Sequence, residues 1–185
     1  MARVKLSEYR AKKILVDDYL GYSLKFDSLA QDLAQVPEGK YVLKVDQGIK
    51  KRGKQGLVAV NIGINEIPEY ANIWNEKGFN RYILEPLYPH EQSQEKYFAI
   101  QRNREGLGIS FSEFGGVDVE ENADKIQTYK SNQIAELVQA SGLNANFISV
   151  IIEKMNKNHM GFVEINPLVI KESEITLLDA AVLVD

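Results

Sequence analysis

A short basic segment between two apolar runs is the first place in this sequence where side chains could do chemistry. Residues 44–56 read KVDQGIKKRGKQG and place five cations and three glycines between the apolar runs 41–45 and 57–62. Lys and Arg bind phosphate through charge-assisted hydrogen bonds, and glycine lets a backbone approach a ligand closely. The pattern favours a strand, a loop over nucleotide phosphates and a second strand. A solvated surface loop and a local nucleic-acid patch stay open as alternatives at this point.

This basic loop does not match the common phosphate-binding signatures. The Walker pattern needs Gly, four residues, then Gly-Lys-Ser/Thr, and Gly48 to Gly53 has that gap, but Gln55 follows Lys54. The sequence contains no GxGxxG. A phosphate site here would therefore belong to a fold other than a P-loop or Rossmann domain.

Composition narrows the class of protein. The 185 residues are 44% hydrophobic and 26% charged, as in a soluble globular protein, and the net charge of −4 argues against a broad nucleic-acid-binding face. The absence of cysteine excludes disulfides and thiolate metal sites, and only His90 and His159 are available to a histidine site. We find no apolar run long enough for a membrane and no apolar signal segment, so we expect a cytoplasmic protein.

Three oxygen-bearing side chains near the end of the sequence form a second candidate site. We expect Glu164, Asn166 and Asp179 to lie on the last two strands, joined by a turn at 172–173. If Lys171 faces Glu174, the same register puts Asn166 opposite Asp179, with Glu164 on the same face. This hairpin oxygen set suits a hard cation such as Mg²⁺. Polar strand-edge residues facing water are the alternative.

Hydrophobic periodicity predicts the elements that would carry these residues. Helices are expected near 7–15, 29–36, 67–78, 132–140 and 145–156, and strands near 41–45, 57–62, 81–85, 96–102, 108–114, 161–170 and 175–178. Neighbouring strands are often close enough in sequence for hairpins. The pattern favours an α+β fold with antiparallel pairing over a doubly wound parallel sheet.

The order of these motifs resembles the ATP-grasp domain of the acyl-CoA synthetase superfamily. The likeness is greatest to the ATP citrate lyase branch and next to the succinyl-CoA synthetase β subunit. It rests on VLK at 42–44, KRGK at 51–54, LVAVN at 57–61, LEP at 84–86, PH at 89–90, EKY at 95–97, GGVDVE at 115–120, EINPLV at 164–169 and LD at 178–179.

The resemblance implies an ATP-grasp fold, in which two α+β lobes with largely antiparallel sheets clasp the nucleotide. The whole of 1–185 would be one such domain, with a smaller lobe at about 16–83 and a larger lobe formed by 1–15 and 84–185. The β-type subunit of that family continues further, so we expect its C-terminal domain to be absent from these residues. The family's lysine shortly after the metal-site aspartate is also absent, since Ala180 and Ala181 follow Asp179.

Phosphate and metal roles follow from the resemblance, position by position. Lys44 and Arg52 would hold the ATP phosphates, with the Gly53 backbone close to them. Asn166 and Asp179 of the hairpin oxygen set would hold Mg²⁺ bridging the phosphates, with Glu164 in support. Lys44, Arg52 and Asp179 would be the catalytic residues, because phosphoryl transfer depends on positioning and charge neutralisation.

The resemblance also implies how the nucleoside is held. Pro86, Leu87 and Tyr88 would form a hinge against adenine, and Glu95 would accept hydrogen bonds from the ribose hydroxyls.

The reaction implied by the resemblance needs a partner. The γ-phosphate would pass to a histidine on an α-type CoA-ligase subunit, leading to citrate activation and CoA thioester formation in a hetero-oligomer. ATP and Mg²⁺ would bind here, and CoA and citrate mainly to the partner. Neither His90 nor His159 suits the acceptor role. A succinate-CoA ligase β-subunit fragment and a non-catalytic assembly or regulatory module are the alternatives, and neither nucleic acid nor a membrane is expected as a partner.

Overall fold

A computed structural model describes residues 3–116, 119, 121–172 and 174–185. Within the GGVDVE motif, Val117, Asp118 and Glu120 lie outside the described residues, as does Ser173 at the predicted turn. The chain divides into two compact units. The N-terminal unit contains Ser7–Tyr9 and Val16–Pro89, and the C-terminal unit contains Met1–Leu6, Arg10–Leu15 and His90–Asp185.

Helices and strands are interspersed along the described chain, and several strands follow one another without a helix between them. The helices are α1 (Glu8–Leu15), α2 (Leu29–Leu33), α3 (Ile67–Glu76), α4 (Ile134–Ser141) and α5 (Ala145–Lys157). The strands are β1 (Val4–Lys5), β2 (Tyr22–Lys25), β3 (Tyr41–Val45), β4 (Val58–Ile62), β5 (Arg81–Pro86), β6 (Glu95–Asn103), β7 (Gly106–Ser112), β8 (Gln127–Lys130), β9 (Met160–Lys171), β10 (Glu174–Leu177) and β11 (Ala180–Val184). Among the described residues, no helix has the length and apolar character needed to cross a bilayer.

The N-terminal unit is built on an antiparallel sheet in the order β2-β5-β3-β4. Helix α3 covers it with Ile67, Ala71 and Trp74, which are buried because their spacing puts them on one helical face. The Trp74 indole N–H donates to the Gly56 carbonyl at 2.9 Å. This bond ties α3 to the end of the basic loop.

The C-terminal unit is built on a larger antiparallel sheet around β9. Its described strands follow the order β1-β11-β9-β6-β7-β8, and β10 also pairs with β9. Helix α5 begins after Asn144, whose side chain accepts a hydrogen bond from the Phe147 N–H at 2.7 Å, and it buries Ile148, Ile151 and Met155. Strand β9 thus sits between two neighbours and is well placed to hold functional side chains rigidly.

The predicted α+β class with antiparallel sheets is confirmed, and the predicted strand at 41–45 coincides with β3. The sequence reading missed β1, β2, β8 and β11. The prediction that Asp179 lies on a strand was wrong, because β10 ends at Leu177 and Asp179 falls in the break before β11. Residues 84–89, grouped with the larger lobe in the sequence reading, lie in the N-terminal unit, since β5 runs on through Pro86.

Candidate active site

Two of the five cations, Lys44 on strand β3 and Arg52 in the basic loop, are largely buried in the N-terminal unit. Lys44 on β3 is 7% exposed, and its ammonium donates to Glu8 Oε1 at 2.8 Å and to Glu85 Oε2 at 2.9 Å. Arg52 donates from Nη1 to the Val45 carbonyl at 2.8 Å and from Nη2 to the Glu8 carboxylate. The structure therefore brings Lys44 and Arg52 together through one shared acid.

Asp46 holds the backbone of Glu8 in position. The Asp46 carboxylate accepts from the backbone N–H of Glu8 at 2.6 Å and from that of Tyr9 at 3.2 Å. A carboxylate at this position satisfies amide groups that the first turn of a helix leaves unpaired, and it interacts favourably with the helix dipole. Asp46 directly follows β3, so the strand that carries Lys44 also positions the backbone of Glu8 and Tyr9 in the same unit.

Glu85 closes the cluster from β5. It accepts from the Tyr19 hydroxyl at 2.8 Å as well as from Lys44. Burial, and then the charge of Glu85, raise the pKa of Tyr19 far above its ordinary value, so this phenol stays a neutral donor. Through these contacts, the carboxylates of Glu8 and Glu85 form ion pairs with Lys44, and Glu8 also forms one with Arg52.

The remaining cations of the basic loop, Lys50, Lys51 and Lys54, are exposed. Gly53 is also exposed, and a Cβ built on it would meet no atom within 4 Å. The backbone at Gly53 is therefore open to a ligand, as its predicted role requires.

The predicted adenine hinge follows β5. Pro86 pairs with Tyr41 in the sheet, and the Leu87 N–H donates to the Lys40 carbonyl at 2.8 Å. The Leu87 N–H is therefore already used within the protein, and Tyr88 is half-buried. The adenine role of 86–88 stays a prediction, with backbone carbonyls favoured over the Leu87 amide.

In the C-terminal unit, the predicted register across β9 is present. Glu174 pairs with Lys171, and the same register resumes where Ala180 pairs with Ile165. Between these pairs, the backbone N–H of Asn166 donates to the Asp179 carbonyl at 3.2 Å.

The side chain of Asn166 is held by a neighbouring turn. Its Oδ1 accepts from the Gly116 N–H at 2.7 Å, and its Nδ2 donates to the Gly116 carbonyl at 3.3 Å. An amide oxygen has two lone pairs, so this contact does not by itself exclude a cation at Oδ1. Within the described part of the chain, no three His, Cys, Asp or Glu side chains form a metal-binding group. An amide with two carboxylates is a different donor set, made of the hard oxygens that Mg²⁺ prefers, and the assignment stays a prediction.

Glu164 and Glu95 occupy the same sheet as Asn166. Strand β9 carries Glu164, which pairs with Ala99 on β6 and with Ala181 on β11. Burial, and then the charge of Glu164, raise the pKa of Tyr97 to about 12. Glu95 opens β6 and contacts His90 Nε2 at 3.1 Å.

The turn at Gly116 links two of the predicted site residues. A Cβ on Gly116 would lie 1.9 Å from Glu95 Oε2, and the Gly116 backbone also holds the Asn166 amide. The predicted ribose acceptor, Glu95, and the predicted metal ligand, Asn166, therefore converge on one glycine, a relationship that the sequence did not suggest.

Sequence reasoning missed two buried charges on α1. Glu8 joins the cations described above, and Lys12, which is fully buried, donates to the Leu178 carbonyl at 2.8 Å. Lys12 thus brings an ammonium next to the residue before Asp179. The available signal was the four-residue spacing of Glu8 and Lys12, which puts both charges on the same helical side as the apolar Ala11 and Leu15.

Comparison with known proteins gives a consistent family. Residues 4–185 match the family described as the ATP-citrate synthase ATP-grasp domain. The ATP-citrate synthase subunit alpha chain protein 1 of Oryza sativa subsp. japonica is 32% identical over 215 residues, covering 97% of this chain and 52% of that protein. The ATP-citrate synthase of Mus musculus is 33% identical over 180 residues, covering 85% of this chain and 16% of that protein. The chain thus spans about half the length of the plant relative and a smaller share of the animal one.

Solved structures share the fold. The ATP citrate lyase of Methanothrix soehngenii, solved with citrate and coenzyme A, has a TM-score of 0.77 and 26% identity, and the match covers 100% of this chain and 52% of that one. A dinucleotide-forming acetyl-coenzyme A synthetase of Ca. Korarchaeum cryptofilum has a TM-score of 0.72 at 16% identity and covers 98% of this chain. At that identity, the second likeness concerns the fold alone.

Proposed function

Since this chain belongs to the ATP-citrate synthase ATP-grasp domain family, we propose that it binds Mg·ATP and orients the γ-phosphate for transfer. The observation that carries the proposal is the convergence of Lys44 and Arg52. These two cations are largely buried and share the Glu8 carboxylate, whereas the other cations of the basic loop are exposed. Buried cations held at a fixed spacing are suited to phosphate oxygens.

Each unit contributes its own part of the proposed chemistry. In the N-terminal unit, Lys44 and Arg52 bind the phosphates, and the absence of a side chain at Gly53 lets the phosphates approach its backbone closely. In the C-terminal unit, Glu95 accepts from the ribose, and the hairpin oxygen set holds Mg²⁺. When bound, the ion neutralises charge on the phosphates, which is the main requirement of phosphoryl transfer.

The wider reaction is proposed from the family. The phosphoryl group passes to a histidine of an α-type CoA-ligase subunit or domain, and that step leads to citrate activation and a CoA thioester. Citrate and CoA bind mainly to that partner, within a cytoplasmic hetero-oligomer. The matched residues make up 52% of the plant relative and 16% of the animal one, so those proteins contain further residues that this chain does not match.

Nucleotide binding is tested by thermal unfolding with and without Mg·ATP. The wild-type chain should melt at a higher temperature with Mg·ATP, because ligand that binds only the folded state stabilises it. Asp179→Ala should abolish the rise. Glu174→Ala, at an exposed position on the neighbouring β10, is the matched control and should keep it. No rise with the wild-type chain would contradict the proposal.

The transfer step is tested with the natural partner, recovered by co-purification from the source cell. Incubation with γ-labelled ATP should label a partner histidine, and Arg52→Gln should reduce the rate of labelling. Assays with citrate and with succinate then separate the two acid–CoA ligase branches. Binding without any labelling would favour a regulatory or assembly role.

A further inference from the structure

The two cations assigned to phosphate are already paired within the N-terminal unit. Glu8 uses one oxygen for each of them, since Oε1 accepts from Lys44 at 2.8 Å and Oε2 accepts from Arg52. The Glu8 side chain is only 4% exposed. Glu85 adds a second carboxylate to Lys44 at 2.9 Å. A phosphate that reaches Lys44 and Arg52 therefore meets cations whose charge is largely compensated.

Glu8 is also held in place. Asp46 accepts from the backbone N–H of Glu8 at 2.6 Å and from that of Tyr9 at 3.2 Å, which fixes the backbone at these two residues. A buried carboxylate on a fixed backbone stays beside Lys44 and Arg52 when a nucleotide binds. Its charge then repels the phosphate oxygens in surroundings where screening is weaker than in bulk water.

We propose that Glu8 is a specificity-determining residue that makes nucleotide binding at Lys44 and Arg52 depend on the accompanying divalent cation. The inference rests on the proposed function, because it requires these two cations to be phosphate ligands. Mg²⁺ adds two positive charges to the nucleotide, so repulsion from Glu8 disfavours the metal-free form much more than the metal-bound form. Glu8 thereby excludes nucleotide that arrives without its metal.

A ratio of affinities separates this role from a structural one. A variant that merely misplaces Lys44 and Arg52 weakens both forms of the nucleotide by a similar factor, and the ratio of their dissociation constants stays the same. A variant that removes the charge of Glu8 favours the more anionic, metal-free form. The ratio of the two dissociation constants therefore changes when the charge of Glu8 is removed and does not change when only the packing around Glu8 is altered.

The experiment is calorimetric titration with Mg·ADP and, in EDTA, with metal-free ADP. The wild-type chain should prefer Mg·ADP, and Glu8→Gln should narrow that preference by roughly tenfold or more, as expected for one charge at short range in a partly buried site. Glu8→Asp keeps the charge and should keep the preference. Glu76→Gln removes an exposed carboxylate at the end of α3 and should leave both affinities unchanged.

Glu8→Gln presents an amide N–H to one of two cationic donors, so its folding is checked first by circular dichroism. If it does not fold, Glu8→Ala removes the charge without adding that donor. An unchanged ratio in a folded variant would overturn the inference and leave the proposed function standing. A wild-type chain that binds both forms equally would overturn the inference whatever the variants do, and one that binds neither form would overturn both.

Discussion

The backbone N–H of Asn166 donates to the carbonyl of Asp179 at 3.2 Å, although Asp179 lies in the break between β10 and β11. Strand β9 pairs with β10 and then with β11 in the same register as far as Leu183, so the break does not shift Asn166 and Asp179 apart. The hairpin oxygen set is therefore held by a long central strand on one side and by two short strands on the other.

Asn166→Ala should destabilise the protein by about 1–3 kcal/mol, because it leaves backbone groups of the Gly116 turn without their side-chain partner. Asn166→Asp should recover part of the loss, since it restores the acceptor but not the donor. Urea unfolding measures both effects. Asn132→Ala, at an exposed position of the same unit, is the control and should have little effect. An Asn166→Ala variant as stable as the wild-type chain would show that these two contacts do not stabilise the turn.

The two glycines of the 115–116 turn should differ in their response to alanine. A Cβ on Gly115 would lie 2.5 Å from the Lys96 backbone, which cannot move without disturbing β6, so Gly115→Ala should cost about 1–3 kcal/mol or more. At Gly116 the clash is with the end of the Glu95 side chain, which can rotate away, but the φ of +68° adds a backbone cost of about 1 kcal/mol.

Nucleotide binding distinguishes these glycine variants further. Gly116→Ala should weaken Mg·ATP binding more than its loss of stability suggests, because it displaces Glu95, the predicted ribose acceptor. Gly142→Ala is the control for backbone cost alone, since its φ is +71° and a Cβ there would meet no atom within 4 Å. Equal nucleotide affinity in Gly116→Ala and Gly142→Ala would argue against the assigned role of Glu95.

Sequence patterns recovered the parts of this fold whose side chains repeat regularly. Helix α3 and strand β3 were predicted because each has a clear apolar period or an apolar run. Strand β2 was missed although Tyr22 and Leu24 alternate with the more exposed Ser23 and Lys25, because four residues are a short signal for a strand.

At the candidate site, the strand register was predictable from one hairpin turn, whereas the long-range partners were not. Glu8 meets Lys44 across 36 residues of sequence, and Gly116 meets Asn166 across 50. No periodicity connects residues so far apart, because such contacts depend on how the chain folds back on itself. The placement of Asp46 as a cap for α1 is of the same kind.

Gly53→Ala should separate ligand binding from stability. Gly53 has no positive φ, and a Cβ there would meet nothing within 4 Å, so the free energy of unfolding should change by no more than about 0.5 kcal/mol. If phosphate packs against this backbone, the new methyl group should nonetheless lower the affinity for Mg·ATP severalfold. Gly63→Ala, also in the N-terminal unit, should be neutral in both respects. Unchanged affinity in Gly53→Ala would remove Gly53 from the proposed site.

Tyr97 is one of the tyrosines whose raised pKa makes stability depend on alkaline pH. Burial and the charge of Glu164 raise its pKa from 10.0 to about 12. Well below pH 10.0 the phenol is protonated in both the folded and the unfolded chain, and its contribution to stability is constant. Between 10.0 and about 12 the unfolded chain loses the proton first, so the free energy of unfolding falls as the pH rises.

Tyr97→Phe should therefore make the fall in stability with pH less steep. Urea unfolding at a series of alkaline pH values measures the slope. The difference in tyrosinate absorbance between the wild-type chain and Tyr97→Phe follows the ionisation of Tyr97 among the nine tyrosines. Glu164→Gln should reduce the slope in part, because the charge of Glu164 is the smaller of the two causes and burial remains. A slope that neither substitution changes would show that Tyr97 titrates alike in the folded and unfolded chains.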